Sequence, residues 1–158
     1  MKYVWHRLFQ CVIIALMISY LSSCKKKSVA NVEIGQTLYL NQGFFGNRRL
    51  INLIDRTLNN DDKALAELIS FPCGGAAGCY DLGFIITQII YAKTHQDFLN
   101  LASDLDYNQI KQLRALIEVG LEYGDHDKDG QVDYRSTEVE FLEISEELER
   151  RLKDTHKY

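Results

Sequence analysis

The sequence predicts an all-α protein, a compact bundle of about six helices with a helix-loop-helix near the C-terminus. Three observations carry this prediction. Apolar residues recur at helical spacing from residue 48 onward, the 158-residue chain contains one proline, and strand-like alternation is limited to about Val32 to Leu40. Similar leucine-rich fragments leave a helical repeat as the alternative, but no fixed period connects them, so a compact bundle is favoured.

The first element is a secretory leader. Lys2 and Arg7 give it a charged start, and the apolar run that follows ends at residue 21, too short for a bilayer, which needs about 20 apolar residues. Residues 21–24, Leu-Ser-Ser-Cys, resemble the lipobox of bacterial lipoproteins. The resemblance implies cleavage before Cys24 and lipidation of that cysteine; the alternative is an uncleaved membrane anchor. The predicted division is signal peptide 1–23, lipidated cysteine with basic tether 24–31, and one helical domain 32–158.

The lipid anchor implies a location in the cell envelope. Several acyl chains on Cys24 make attachment effectively stable, and Lys25, Lys26 and Lys27 can lie against anionic head groups. The residue after the cysteine is Lys rather than the Asp that marks inner-membrane retention in enteric bacteria. In a Gram-negative cell we therefore expect the outer membrane, with the domain facing the periplasm.

The body is acidic. Without residues 1–23, 16 basic residues stand against 22 acidic ones, and the tether accounts for three of the basic ones. A nucleic-acid-binding protein needs clustered Lys and Arg to neutralise phosphates, so that class is excluded. Opposite net charges speed the association of two proteins, so the acidic body favours a basic protein partner.

Cys73 and Cys79 are predicted to form a disulfide. An oxidising compartment permits the bond, and the small residues at 74–78 are flexible enough to bring the cysteines together. Such a short loop contributes about 2 kcal/mol by chain-entropy arguments. The alternative is a pair of reduced cysteines on a glycine-rich turn.

Apolar stripes and capping residues predict the helices in order. Breaks are expected at 59–62 and near Thr94–His95, and Asp81 is expected to cap a central helix. Asp106 with Gln109, and Thr137 with Glu140, have capping-box spacing at the starts of the last two helices. The stripes are Leu50, Ile51, Ile54, Leu58; Leu65, Leu68, Ile69; Ile85, Ile86, Ile89, Ile90; Phe98, Leu101, Ala102, Leu105; Ile110, Leu113, Leu116, Ile117, Leu121; and Phe141, Ile144, Leu148, Leu152.

An aromatic pair, Phe44 and Phe45, lies between Gly43 and Gly46 and is followed by two arginines. The segment has two interpretations, an exposed recognition loop or a pair that packs onto the domain. Packing is the favoured one, because large aromatic side chains are more often buried than exposed.

The sharpest motif is at residues 125–133, which resemble the first nine positions of an EF-hand calcium loop. The resemblance places Asp125, Asp127 and Asp129 at positions one, three and five, with Gly130 at the turn. Position twelve, normally a bidentate Glu, is Ser136, so we expect weak binding with Glu138 or Asp133 as the substitute. A solvated acidic turn is the alternative. The predicted ligands of a structural calcium ion are Asp125, Asp127, Asp129, Gln131, Asp133 and Glu138.

No catalytic motif is apparent, and the histidines lack zinc-type spacing. We therefore expect a non-enzymatic binding protein. Its most concrete form is an immunity protein that neutralises an antibacterial toxin, with the acidic region from Glu118 to Glu149 facing a basic toxin surface. The alternatives are a structural envelope lipoprotein and, third, an enzyme, which requires a polar pocket with at least two perturbed ionisable groups.

Overall fold

The computed structural model describes residues 27–155. The predicted signal peptide, Cys24 and the last three residues lie outside this range. The fold is all-α, as predicted. Within residues 27–155, no helix is long and apolar enough to cross a membrane. The elements are β1 Lys27–Val29, β2 Val32–Ile34, α1 Gln36–Asn41, α2 Phe44–Leu58, α3 Asp62–Ile69, α4 Ala76–Tyr91, α5 His95–Leu101, α6 Tyr107–Tyr123, α7 Thr137–Glu140 and α8 Leu142–Thr155.

Eight helices therefore stand in residues 27–155 where about six were expected. One addition is α1, which forms within the stretch that alternates like a strand. The other arises because Phe141 leaves the helical conformation (φ −133°, ψ 45°), so the predicted last helix is divided into α7 and α8. The apolar stripe across this break is confirmed, since Phe141, Ile144 and Leu148 are buried.

The two strands form an antiparallel hairpin, with Lys27 opposite Ile34 and Val29 opposite Val32. Ala30 and Asn31 make its turn, both at positive φ, as short hairpin turns require. The hairpin contains residues 27–31 of the predicted tether. In the sequence, only two lysines thus separate Cys24 from the folded hairpin.

The central helix is α4, as predicted, and its four isoleucines are all buried. Its main neighbour is α6, which runs antiparallel to it. Gly83 and Gly120 lie where the two helices cross, and a Cβ on either would collide with a main-chain oxygen of the other helix. Tyr80 and Tyr123 stack nearby, with ring centres 4.3 Å apart and planes inclined by 10°.

Helix ends agree only in part with the expected caps. The capping box of Asp106 and Gln109 is confirmed at the start of α6. The box at Thr137 is wrong: Ser136 is the N-cap residue, no side chain caps α7, and the Thr137 hydroxyl is buried without a hydrogen-bond partner among the described residues.

Asp81 does not cap its own helix, contrary to prediction. Since α4 already begins at Ala76, Asp81 lies inside it, where its Oδ2 accepts a hydrogen bond from the Leu38 amide of α1 at 2.8 Å. Gly35 makes this approach possible, because a Cβ there would overlap the carboxyl group. Burial raises the pKa of Asp81. The carboxylate thus attaches α1 to the core.

The disulfide prediction is confirmed. Cys73 and Cys79 are paired, with Cα atoms 4.9 Å apart. Gly74 and Gly75 have φ of 74° and 136°, values that favour glycine, and a Cβ at Gly78 would overlap the Cys73 carbonyl. The glycines are therefore needed to close this loop just before α4.

Candidate metal centre and the adjoining cleft

The acidic loop, residues 124–136, connects α6 to α7 and folds back on the end of α6. The amides of Asp133, Tyr134 and Arg135 donate hydrogen bonds of 3.0–3.2 Å to the carbonyls of Gly124, Glu122 and Leu121. These bonds satisfy carbonyls that a helix leaves unpaired at its C-terminus. The loop is thus anchored to α6 through its main chain before any side chain is considered.

Three carboxyl groups converge in this loop. Asp125, Asp127 and Asp133 each place an oxygen within 4.8 Å of the other two. Asp125 Oδ2 accepts the Gly130 amide at 3.1 Å, while its Oδ1 is buried and has no hydrogen-bond partner in residues 27–155. Leaving a carboxylate oxygen buried and unpaired is costly, and a cation would satisfy it. Gly130, at φ 89°, makes the predicted sharp turn.

The carboxylates of two further predicted ligands, Asp129 and Glu138, are not part of this convergence. The Asp129 carboxylate accepts the Gln131 amide at 2.8 Å and faces the side chain of the same residue, and it is not one of the three converging groups. Glu138 is exposed on α7. Asp133 is therefore the substitute that lies with the converging aspartates.

Asp133 also connects the loop to two helices. Its Oδ2 accepts the His126 amide at 2.9 Å and lies 2.9 Å from Arg135 Nε. Arg135 Nη1 is 3.7 Å from Glu140 Oε2 on α7, and that oxygen accepts the Tyr91 hydroxyl of α4 at 2.7 Å. Burial, and next the hydrogen bond to Glu140, raise the pKa of Tyr91 to about 12. The loop, α7 and α4 thus share one polar network.

His126 fills the space beneath the loop. Its ring lies edge-on to Phe84 and Tyr91, with centres 4.9 and 5.2 Å away, and its Nε2 is 3.0 Å from the Gly120 carbonyl. A carbonyl only accepts, so Nε2 carries the proton that it donates. Burial lowers the pKa of His126, which favours the neutral ring at pH 7.

A cleft of about 360 Å³ opens between α4 and the acidic loop. Tyr91 and His126 both line this cleft, and both have shifted pKa values. An enzyme was expected to need such a polar pocket with at least two perturbed ionisable groups. The raised pKa of Tyr91 keeps the phenol protonated at neutral pH, and His126 already donates to a carbonyl. Further lining residues are Phe84, Asp125, Lys128 and Arg135.

Comparisons with known proteins identify no relative. The chain matches no protein-family model and no curated protein, and its fold matches no solved structure.

Sequence reasoning missed the network of Arg135, Glu140 and Tyr91, and the structural role of His126. The signal was weak, because Tyr91 and Glu140 are 49 positions apart and no motif connects them. The one available hint was that His126 occupies the second position of the loop, between two of the aspartates.

Proposed function

We propose that this chain is a lipid-anchored, non-catalytic binding protein of the bacterial cell envelope, whose acidic loop holds one structural calcium ion. The observation that carries the calcium assignment is the convergence of Asp125, Asp127 and Asp133, with the buried, unpaired Oδ1 of Asp125. The anchor rests on the leader and Cys24, which supply the lipobox.

Calcium suits this donor set better than zinc or copper does. The three converging groups are hard carboxylate oxygens, whereas zinc and copper favour nitrogen or sulfur. Calcium needs six to eight oxygens, so main-chain carbonyls and water must complete the shell. Because Ser136 replaces the bidentate Glu, we expect a dissociation constant of about 10⁻⁴–10⁻³ M, the range of extracellular calcium modules.

The binding surface that we propose is the acidic loop with α7 and α8. From Asp125 to Glu149 the chain has ten acidic and two basic residues. Tyr134, Val139 and Leu142 are exposed in the same segment. Exposed apolar side chains supply contact energy, and the surrounding carboxylates favour a basic partner. The ion would hold this surface to α4 through the network of Asp133 and Arg135.

The most specific form of the proposal is an immunity protein, whose basic partner is an antibacterial toxin that reaches the periplasm. A lipid anchor keeps the protein in that compartment, and the acidic surface complements a basic toxin. A structural envelope lipoprotein is the competing function, and co-expression with effectors encoded beside the gene distinguishes the two.

The calcium site is tested by titration calorimetry on the full chain, purified with its lipid in detergent. Asp125→Asn should weaken calcium binding by tenfold or more, because it removes the charge of the buried ligand at nearly constant shape. The matched control is Asp129→Asn, whose carboxylate lies outside the convergence and which should cost less. Equal losses in the two variants, or no calcium-dependent heat in the unmodified protein, would refute the assignment.

The partner is tested with effectors encoded beside the gene, each expressed in the periplasm with and without this protein. We expect one basic effector to be toxic alone and harmless in its presence. Glu143→Lys with Glu146→Lys should abolish protection, whereas Asp104→Lys, outside the proposed surface, should retain it. If no neighbouring effector is toxic and the protein instead purifies with envelope proteins, the immunity proposal fails in favour of the structural lipoprotein.

A further inference from the structure

An exposed apolar patch lies near the first residue of the described chain. It consists of Leu40, Phe44 and Phe45, which are 69%, 75% and 81% exposed. The two rings contact each other edge to face, with centres 5.5 Å apart. Packing onto the domain, the favoured interpretation of this pair, is therefore wrong, because α2 begins at Phe44 and its first turn points the rings outward.

The geometry of the patch is fixed by the turn between α1 and α2. The Asn47 side-chain amide donates to the carbonyls of Tyr39 and Gln42, at 2.9 and 3.1 Å. These bonds join the end of α1, which carries Leu40, to the first turn of α2, which carries both phenylalanines. The two helix ends that carry the patch are thus held together by hydrogen bonds.

The patch lies beside the point where the tether joins the domain. Lys27 Nζ is 5.6 Å from the centre of the Tyr39 ring, and Tyr39 immediately precedes Leu40 on α1. Cys24 precedes Lys27 by three residues, which span at most about 10 Å when extended. A lipid on Cys24 therefore holds this side of the domain close to the bilayer.

Charge distinguishes this end from the rest of the chain. Residues 24–54 contain five basic residues and one acidic one, whereas residues 55–158 contain 11 basic and 21 acidic residues. Arg48 and Arg49 follow the aromatic pair by one helical turn and are exposed, and Arg49 is paired with Glu67 of α3 at 3.1 Å, so Arg48 is the basic side chain offered to head groups here. Apolar side chains such as Phe and Leu beside a basic side chain are suited to the head-group region of an anionic membrane.

We propose that Leu40, Phe44 and Phe45 form a membrane-docking face, which inserts into the head-group region of an anionic phospholipid bilayer beside the acylated Cys24. The inference deepens the proposed function and rests on its lipid anchor. A second copy of the chain fits the face less well, because pairing two such faces brings like charges together, whereas a bilayer supplies anionic head groups within reach of the tether.

Single-tryptophan variants test the proposal. In a Trp5→Phe background, Phe45→Trp places the only tryptophan in the docking face, and Tyr134→Trp places it at a similarly exposed position of the acidic loop, where Tyr134 is 72% exposed. Each full chain, processed in a bacterial host, is reconstituted into phosphatidylethanolamine–phosphatidylglycerol vesicles that contain brominated lipid. We expect several-fold stronger quenching and a blue-shifted emission for Phe45→Trp.

The mass of the mature protein reports the lipid separately, so failure of the anchor and failure of the docking face are distinguishable. Equal quenching at the two positions, or none at Phe45→Trp, overturns the docking face whether or not lipid is found. Preferential quenching at Phe45→Trp supports it, even in a protein that proves to lack the lipid. Self-association that Phe44→Ser abolishes, without preferential quenching, would assign the face to a second copy and overturn the proposal.

Discussion

Two glycine-containing loops adjoin the central helix pair, and they are closed by different means. The loop before α4 is closed covalently by Cys73–Cys79. The acidic loop after α6 is closed by hydrogen bonds and ion pairs around three converging carboxylates. A covalent bond holds irrespective of pH and salt, whereas packed carboxylates repel each other unless a cation or a proton neutralises them. The comparison indicates that solution conditions act mainly on the acidic loop and the helices after it.

Both loops are attached to the packed pair of helices α4 and α6, and disrupting that packing should have the largest effect on stability. Gly120→Val places a branched side chain against the Gly83 carbonyl, where the helices cannot separate without losing core contacts. We expect a loss of about 3 kcal/mol in the free energy of unfolding, the upper part of the range for overpacking, measured by urea denaturation.

The control for this substitution is Gly43→Val. A Cβ at Gly43 would meet no atom of the described residues within 4 Å, and the backbone there is extended, with φ −70° and ψ 177°. A loss as large as that at Gly120 would mean that valine itself, rather than the helix crossing, is responsible.

Removal of calcium should have the next largest effect and should be local. At a calcium concentration of about 100 times the dissociation constant, binding stabilises the fold by roughly 2.7 kcal/mol. With a chelator we therefore expect a lower Tm and faster hydrogen exchange in residues 124–155, with α4 changed least. Uniform acceleration along the chain would contradict the contrast between the two loops.

Removing the disulfide tests the other loop. Cys73→Ser with Cys79→Ser should cost about 2 kcal/mol, because the short closed loop constrains the unfolded chain only modestly. Calcium affinity should be unchanged, since the cysteines and the three aspartates share no contact among those described. A concurrent loss of calcium binding would show that the two loops are coupled.

The smallest expected effect is a change in the pH dependence of the free energy of unfolding when His126 is replaced. Its folded-state pKa lies below the ordinary value of 6.5 because of burial. Below pH 6.5 the unfolded chain therefore binds the proton more readily than the folded one, and stability falls as pH decreases. His126→Phe keeps an aromatic ring without titration, so its stability should fall less steeply over this range. Parallel urea-denaturation profiles for the two proteins would exclude His126 as the cause.

Local patterns in the sequence predicted much of the fold. Stripes such as Leu65, Leu68 and Ile69 and the capping box at Asp106 depend on neighbours within one or two turns, and the structure confirms them. The disulfide was equally predictable, because its two cysteines are only six residues apart in the sequence.

Long-range packing was not predictable from these patterns. Asp81 has the sequence of a cap for its own helix, yet it binds the Leu38 amide, 43 residues earlier. Gly83 and Gly120 have no evident role within their own helices, and only the crossing gives them one.

The candidate site was likewise only partly predictable from the sequence. The spacing of Asp125, Asp127 and Asp133 follows from a tight loop, so the motif located the three converging groups. The orientation of Asp129 depends instead on its side-chain rotamer, which turns the carboxylate toward Gln131. The motif therefore named a ligand set larger than the group that converges.

The stacked rings of Tyr80 and Tyr123 give the protein an intrinsic spectroscopic signal. Two phenol rings stacked nearly parallel, with centres 4.3 Å apart, are close enough for their electronic transitions to couple, and Tyr123 ends the helix that leads into the acidic loop. The only tryptophan, Trp5, lies in the predicted leader, so a processed chain has no indole absorption to mask them. Near-ultraviolet circular dichroism of the unlabelled protein should therefore follow the register between α4 and α6.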